Sequence, residues 1–559
     1  MSLIDRILKN RGISPEQKAA FLSPDYEARH DPFLLPDMQL AVERLVKARE
    51  AQEKITIYGD YDIDGLTATS LLIDALKSFG FENVAAFIPN RFVEGYGLTV
   101  DAVERIIADG ADLILTVDCG SLSHVEITRA KELGVDVIVT DHHNVASEQP
   151  PAVAVVNPKR LLQDNPDSYE KYVLKPGESK ELYPFLDLPG VGVAFKLVQA
   201  LQTKLDGLPK GQEKWLLDLV ALGTVCDVVT LRDENRTHVF WGLKVLSQTR
   251  RPGLKALMAV ASVEPRTVNA RSLGFALGPR MNASGRLETA QYALDLLTTE
   301  DPMEALRLAR VLDDMNKARR LEQDEIFKDA ILQAEELAGD PVLVVSAANW
   351  NHGIVGIVAA KLLERYQKPT YVLVEHGDET KGSARSYGDF SAADAIRAAD
   401  DIITKGGGHK LAAGVTLPTA NVAAFRERVN KVYKDLKLRD QPSLLIPAAD
   451  VDAEIATLSE ALVDELAQLE PFGSGNPQPI LQTIDALVVN QRRMGDSGQH
   501  VKLTVKDTSG QTLDVVGFNA PAYYFVEPGE TITVRYTVEL NEWQGRRSVQ
   551  GMIVHIEHL

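Results

Sequence analysis

Three short runs of aliphatic and β-branched residues, Ile55–Gly59, Asp112–Val117 and Val135–Thr140, each lead directly into aspartate. The first opens Asp60-Tyr-Asp62-Ile-Asp64-Gly65, the second Asp118-Cys-Gly120 and the third Asp141-His142-His143-Asn144. Between them, Leu66 to Phe79 and Ser121 to Leu133 have helical spacing and stop at Gly80 and Gly134. Strands alternating with helices of this length imply βαβ units and a parallel sheet. In an open parallel sheet, ligands bind beyond the carboxyl ends of the strands. The pattern therefore fixes chemistry along with fold, because one edge of the sheet collects carboxylates and imidazoles.

Acids gathered this closely repel one another, which raises their pKa values. Divalent cations relieve that repulsion, and carboxylate with imidazole but no thiolate suits Mn²⁺ or Mg²⁺ better than structural zinc. A calcium loop of the EF-hand kind needs a glutamate six residues after Gly65, where Leu71 stands, and it follows a helix rather than a strand. No Gly-x-Gly-x-x-Gly accompanies these strands, and an acidic edge repels a pyrophosphate, which argues against dinucleotide binding.

A chain of 559 residues is too long for one core, and about 100–200 residues per domain predicts three or four. We expect an α/β multidomain protein: a helical segment over 1–50, the parallel-sheet domain over 51–290 and a connecting helix over 291–338. A second α/β domain follows over 339–440, opened by Pro341-Val-Leu-Val-Val345, and a C-terminal β-barrel over 450–559, where short alternating runs appear. Residues 159–185, rich in Pro, Asp and Lys, read as a surface insertion. The net charge of −19 argues against nucleic-acid binding unless positive charge is concentrated locally or bound metal inverts the field. With only Cys119 and Cys226, the chain reads as a disulfide-free protein of a reducing cytoplasm. No apolar run approaches 18 residues and the N-terminus lacks an apolar leader, so neither a membrane helix nor a signal peptide is expected.

Asp141-His142-His143 is the signature of the DHH phosphoesterases, and Tyr58-Gly-Asp-Tyr-Asp-Ile-Asp-Gly65 resembles their first motif in the form carried by the RecJ family. Asp118-Cys-Gly resembles the second motif and Gly223-Thr-Val-Cys-Asp227 the fourth. Gly278-Pro-Arg280-Met-Asn282-Ala-Ser-Gly285-Arg286-Leu is similar to a further RecJ-type motif. Gly382-Ser383-Ala-Arg385-Ser386 and Gly406-Gly-Gly-His409 resemble the DHHA1 substrate-binding domain. Glu470-Pro-Phe-Gly-Ser-Gly-Asn476-Pro resembles the opening of the family's oligonucleotide-binding (OB) barrel. The motifs occur in the family's order over nearly the whole chain.

The resemblance implies a two-metal phosphodiesterase. Asp64, Asp118, His142 and Asp227 match ligands of one ion. Asp60 and Asp62 match ligands of the other, both standing as candidates for direct contact, with Asp118 bridging. Tyr58 departs from the family, where a histidine is common at that position. Asp141 is expected to orient a histidine and His143 to contact the scissile phosphate. Two ions about 3.5–4 Å apart activate water and stabilise charge on the phosphate. Arg280, Ser383, Arg385, Gly407, Gly408 and His409 are the expected substrate contacts, through guanidinium and hydroxyl donors and close backbone approach. In the barrel, Phe518, Tyr523, Tyr524 and Trp543 are stacking candidates, and Arg492, Arg493, Arg546 and Arg547 backbone-binding candidates. The implied activity is 5′-to-3′ digestion of single-stranded DNA to nucleotides in repair and recombination, with single-strand-binding protein and a repair helicase as partners. A DHH–DHHA1 phosphodiesterase of short oligonucleotides or cyclic dinucleotides is the alternative, and the barrel and the Gly278–Leu287 motif weigh against it. A catalytically dead scaffold would be expected to lose ligands, and here every proposed acid and His142 is in place.

Overall fold

The computed structural model describes residues 2–164, 182–437, 445–543 and 545–559, without the side chain of Trp543. Most of the segment expected as a surface insertion, residues 165–181, lies outside the described residues. The chain forms two units, one of residues 19–316 with 469–478, the other of residues 1–18 with 317–468 and 479–559.

The first unit is built on a five-stranded sheet in the order β2-β1-β3-β4-β5. Its strands are β1 Ile55–Gly59, β2 Val84–Phe87, β3 Leu113–Val117, β4 Asp136–Thr140 and β5 Ala154–Val156, all parallel. β1 and β3 are buried at every residue, as strands covered on both faces must be. Alternation sends Ile55, Ile57, Leu113, Leu115 and Val117 into one core and Tyr58, Ile114 and Val139 into the other. The chain passes from β1 to β2 on one side, then returns to lay β3 on the other. β1 and β3 thus flank the point where the strand order reverses, where open α/β sheets place their ligands.

The helix after β1, Ile63–Ser78, begins at Asp62, whose carboxylate accepts from the backbone N–H groups of Asp64 and Gly65 at 2.9 and 3.2 Å. This cap satisfies two of the helix's orphan donors. The helix ends at Gly80, whose φ of +84° favours glycine. Helices Gly190–Leu201 and Leu217–Cys226 pack beside it and complete the core.

In the second unit, β6 Leu343–Ala347, β7 Thr370–His376, β8 Glu379–Arg385, β9 Lys405–Gly408 and β10 Ala412–Pro418 form a mixed sheet ordered β6-β7-β8-β10-β9. The barrel comprises β12 Leu481–Met494, β13 His500–Lys506, β14 Thr512–Gly517, β15 Thr531–Trp543 and β16 Arg546–His558, with β12–β15 pairing closing the ring. β14 and β16 run parallel while the other pairs of the ring are antiparallel, giving a closed five-stranded OB-type barrel. A two-residue strand, β11 Val451–Asp452, adds to β12. Arg11 grips Asp450 with two bonds of 2.7 and 2.8 Å, tying the N-terminal helix Leu3–Asn10 to this unit.

Two expectations are revised. The stretch 291–338 holds two helices, Gln291–Thr298 and Pro302–Glu336, because Pro302 lacks an N–H and starts a new helix instead of continuing one. The Glu470–Pro477 motif stands with the parallel-sheet unit, not the barrel. Arg236 donates to the carbonyl of Glu470 at 2.8 Å, and Leu231 N–H to that of Ser474 at 2.8 Å.

A fully buried charge pair pins the parallel-sheet unit. Lys196, 0% exposed, donates to Glu234 at 2.7 Å and to the carbonyl of His30 at 2.6 Å. Tyr183 also donates to Glu234. Removing one member of a buried pair strands the other's charge, at a cost of about 3–5 kcal/mol. Lys196→Met should therefore lower the unfolding midpoint of this unit sharply, while Lys196→Met with Glu234→Leu recovers much of the loss. Denaturant unfolding followed by circular dichroism checks both.

Candidate metal centre and phosphate-binding strip

Four segments deliver the acids. Asp60 follows β1, Asp118 follows β3, Asp141 follows β4, and Asp227 caps the C-terminus of the helix Leu217–Cys226. Asp118 has φ +61°, a left-handed conformation that costs about 1–3 kcal/mol in a residue other than glycine and is found chiefly at functional sites. Its N–H donates to Thr140 O at 3.0 Å, holding the turn. A Cβ at position 190 would stand 2.6 Å from the Asp118 Cβ, so Gly190 is what lets the helix Gly190–Leu201 begin against this carboxylate. Val228, the neighbour of Asp227, has φ +62°, an outlier for a β-branched residue.

The expected ligands come together in overlapping groups. Oxygens of Asp64 and Asp227 and Nε2 of His142 lie within 4.8 Å of one another, as do oxygens of Asp60, Asp62 and Asp118. A third group joins Asp118, His142 and His143 on the same criterion. His142 Nε2 stands 3.1 Å from Asp118, 3.7 Å from Asp227 and 3.8 Å from Asp64. Asp118 and His142 each belong to two of the three groups, and so link them.

Electrostatics separates the residues that need a cation from those already satisfied. Burial, then the charge of Asp62, pushes Asp64 up to about 7, although Gly190 and Val191 N–H groups bond its carboxylate. Burial, then Asp64, raises Asp118 well above the usual range and carries Asp227 to about 9. Burial, then Asp62, raises Asp60 in the same way. Burial, then the charge of His143, lowers His142 to about 3, leaving a neutral imidazole. Asp60 Oδ1, Asp118 Oδ1, Asp227 Oδ2 and His142 Nε2 are buried without a hydrogen-bond partner. Each such atom costs about 1–3 kcal/mol. Convergent lone pairs without donors are what a pair of divalent cations fits, so Asp64, His142 and Asp227 on one side and Asp60 and Asp62 on the other, sharing Asp118, could hold two.

Asp141 is different. Its carboxylate accepts from the N–H groups of His142, His143 and Ser121 at 2.7, 3.0 and 3.0 Å and pairs with His143 Nδ1 at 2.9 Å. Burial is the largest influence and opposes its charge, but the hydrogen bonds from His143 and the charges of His143 and His142 together outweigh it and hold Asp141 well below the carboxylate range. In return, and against burial, Asp141 raises His143. Asp141 is thus saturated with donors and positions His143. Tyr58 lies on the far side of the sheet, its hydroxyl donating to Gly97 O at 2.9 Å and its ring stacked on Phe87. Cys119 and Cys226 are unpaired thiols beside the site, and burial raises both.

The strand β2 and the loop after it escaped the sequence reading. β2, Val84-Ala-Ala-Phe87, is half-buried and lacks a β-branched run, so no strand pattern stands out. The loop brings Arg91 over the Tyr61 ring at 4.4 Å and places the Tyr96 hydroxyl 3.0 Å from His143 Nδ1. The available signal was position alone, since Asn90 to Gly97 follows a strand of the same sheet.

In the other unit, Ser383 and Arg385 lie two apart on β8 and so share a face. A Cβ on Gly356 would lie 3.4 Å from the Arg385 guanidinium and 3.5 Å from Ser383 Oγ, which places both at the first turn of the helix Val355–Tyr366. A helix N-terminus with a guanidinium and a hydroxyl suits an anion. Across the strands Ser383 pairs with Gly414, and Gly414 with Gly407, leaving a strip with almost no side chains. Gly408 and His409 are exposed beside it. Arg280, in the parallel-sheet unit, is engaged by Asp313 at 2.9 Å and the carbonyl of Ala276 at 2.7 Å.

In the barrel, Phe518 and Tyr523 are 60% and 45% exposed. Tyr524 is buried, and its hydroxyl donates to Val554 O at 2.6 Å, so it belongs to the core and not to a stacking surface. Arg493 lies over the Phe525 ring at 4.2 Å, and Arg547 lies 3.8 Å from Glu542. The side chain of Trp543 lies outside the described residues.

A carboxyl whose folded pKa is raised binds more protons folded than unfolded, so stability falls as pH rises. For Asp64 that loss runs from about 4 to about 7, and for Asp227 from about 4 to about 9. In chelator, the unfolding midpoint should therefore decline between pH 4 and 9. Mn²⁺ should raise the midpoint at pH 8, and Asp118→Asn should blunt that rise. A calorimetric pH series with and without Mn²⁺ measures both effects.

Comparison with known proteins follows the same divisions. Residues 54–224 match the DHH family, N-terminal domain, residues 339–435 the DHHA1 domain and residues 449–555 the RecJ OB domain. The chain is 38% identical over 556 residues to the single-stranded-DNA-specific exonuclease RecJ of Bacillus subtilis, covering 99% of this chain and 67% of that protein. It is 34% identical over 555 residues to the exonuclease of the same name from Salmonella typhimurium, covering 93% and 91%. The crystal structure of RecJ in complex with Mn²⁺ from Thermus thermophilus superposes with a TM-score of 0.81 at 29% identity, covering 99% of this chain and 75% of that one. With three domain matches in order, relatives above 30% identity along nearly the whole chain, and a metal-bound relative of the same fold, this protein belongs to the RecJ family of DHH phosphoesterases.

Proposed function

We propose that the chain is a metal-dependent exonuclease that digests single-stranded DNA from its 5′ end and releases nucleotides. The observation that carries this reading is the pair of ligand groups, Asp64 with His142 and Asp227 and Asp60 with Asp62 and Asp118, which meet where His142 stands 3.1 Å from Asp118 at the switch point of the sheet. Two Mn²⁺ or Mg²⁺ ions bound there supply an activated water and neutralise charge on the phosphate. The protein's own part is positional. Neutral His142 offers a lone pair, kept unprotonated by burial. Asp141 fixes the His143 ring and raises its pKa against burial, and His143 can donate to a non-bridging phosphate oxygen. Water attacks phosphorus, the bond to the sugar oxygen breaks, and that oxygen leaves with a proton. No side-chain nucleophile takes part. Ser383, Arg385 and the strip at Gly407, Gly408 and His409 bind a phosphate of the strand, and the barrel holds the strand beyond it.

The direction of digestion, the role in repair and recombination, and partnership with single-strand-binding protein and a repair helicase are taken over from the family. Two buried or half-buried thiols with no disulfide support work in a reducing cytoplasm. None of the described helices is long and apolar enough to cross a membrane. The competing reading, hydrolysis of short oligonucleotides or cyclic dinucleotides, lacks a role for the barrel.

The test is a time course on strands labelled at either end, single-stranded and duplex, with Mn²⁺, Mg²⁺ or chelator, beside a cyclic dinucleotide. The expected result is metal-dependent loss of single strands from the 5′ end, with duplex spared. Preference for the cyclic dinucleotide, or cleavage in chelator, overturns the proposal. Asp64→Ala, Asp118→Ala and His142→Ala should each lower kcat by about 100-fold or more. Arg385→Ala should lose the preference for 5′-phosphorylated over 5′-hydroxyl strands.

A further inference from the structure

Three aromatic side chains are exposed among the described residues of the parallel-sheet unit: Phe92, Tyr96 and Phe275, at 47%, 52% and 75%. A single exposed apolar residue needs no explanation. Here each of the three lies in a segment that contacts an acid-bearing segment. Phe92 and Tyr96 belong to the loop whose Arg91 covers Tyr61, between Asp60 and Asp62. Phe275 belongs to the π-helical turn Leu273–Leu277. That turn rests on the residues leading into Asp227: the Cys226 thiol reaches Leu273 O at 3.7 Å, and a Cβ on Gly274 would touch Val225 at 3.7 Å. The next residue, Gly278, is packed so tightly that a Cβ there would stand 2.7 Å from Cys226 Sγ and 3.4 Å from Ile63. The backbone of Phe275 is therefore fixed to both acid-bearing segments while its ring projects into solvent. π-Turns of this kind occur frequently at functional sites.

The three rings are not equivalent. The Tyr96 hydroxyl is engaged at 3.0 Å from His143. Phe275 has no polar atom in its side chain, so it cannot bind phosphate or sugar hydroxyls and offers only a flat apolar face. In a single strand the nucleobases present such faces to a partner, whereas in a duplex they are covered by their neighbours. We infer that Phe275 is a nucleobase platform, stacking the base next to the scissile phosphate and so contributing to the choice of single over double strands. This rests on the reading of the chain as a single-strand exonuclease.

The test uses the full-length protein and its Phe275→Ala, Phe275→Leu and Phe275→Tyr variants. Each is titrated by fluorescence anisotropy, in chelator, with a 5′-phosphorylated oligodeoxynucleotide and with strands carrying one abasic site at successive positions. KM on the same strands is measured with Mn²⁺. At one position the abasic site should weaken the wild type about fivefold or more, the lower end of base–aromatic stacking. Phe275→Ala should weaken the intact strand by a similar factor and be indifferent to the abasic site at that position. Phe275→Tyr should restore both properties and Phe275→Leu should not. The platform is refuted if Phe275→Ala handles the intact strand like the wild type. It is equally refuted if that variant loses the same factor on every strand, abasic ones included, or if its deficit tracks a change in oligomeric state. If the wild type itself neither binds nor cuts single strands, the exonuclease reading falls, whereas an active wild type with an indifferent Phe275→Ala removes only the platform.

Discussion

Carboxylates held within a few ångströms of one another in a water-poor site repel strongly, by about 4 kcal/mol per pair at 4 Å and an effective dielectric near 20. Much of the parallel-sheet unit can be understood as a way of tolerating that repulsion until cations cancel it. Asp62 lends its charge to a helix N-terminus. Asp64 is held by two backbone N–H groups from the start of another helix. Asp141 is saturated by donors from its own turn and from Ser121. What remains uncompensated is a small set of oxygens on Asp60, Asp118 and Asp227 and the neutral nitrogen of His142, and these face one another.

The reversal of strand order makes this arrangement possible. Because β2 and β3 leave β1 on opposite sides, the chain ends after β1 and β3 are not covered by the same crossover helix. Backbone strain is stored at the same place, with left-handed Asp118 beside β3 and left-handed Val228 beside Asp227. Glycine at position 190 supplies the missing volume. The distribution of charge also reconciles a net −19 with a nucleic-acid substrate. The acids are drawn to a site where cations reverse the field, while Lys381, Arg385, Lys405 and Lys410 bring positive charge to the second sheet.

Sequence patterns were most legible where burial is complete. β1, β3 and β4 are nearly continuous apolar runs with an aspartate at the end, so strand and ligand were readable together. β2 has four half-buried residues and no such run, and with it went the loop that carries Arg91, Phe92 and Tyr96. Tyr524 looked like a surface aromatic because composition does not reveal that its hydroxyl has a carbonyl waiting inside the barrel. The Arg280–Asp313 pair was not legible either, because nothing local announces a partner thirty-three residues away.

The sequence by itself determined the chemistry available to this protein: aspartates and paired histidines immediately after apolar strands, in an order that matches one family. Those are local facts, set by period, by turn chemistry and by the residues that follow a strand. Tertiary structure decided which of these groups would be neutral, which saturated and which left wanting a cation, since pKa depends on burial and on neighbours distant in sequence. It also decided that the Glu470–Pro477 loop would leave the barrel's unit for the other, and that Phe275 would be held out in solvent beside Asp227. Long-range packing is a property of the whole chain, and no window of sequence contains it.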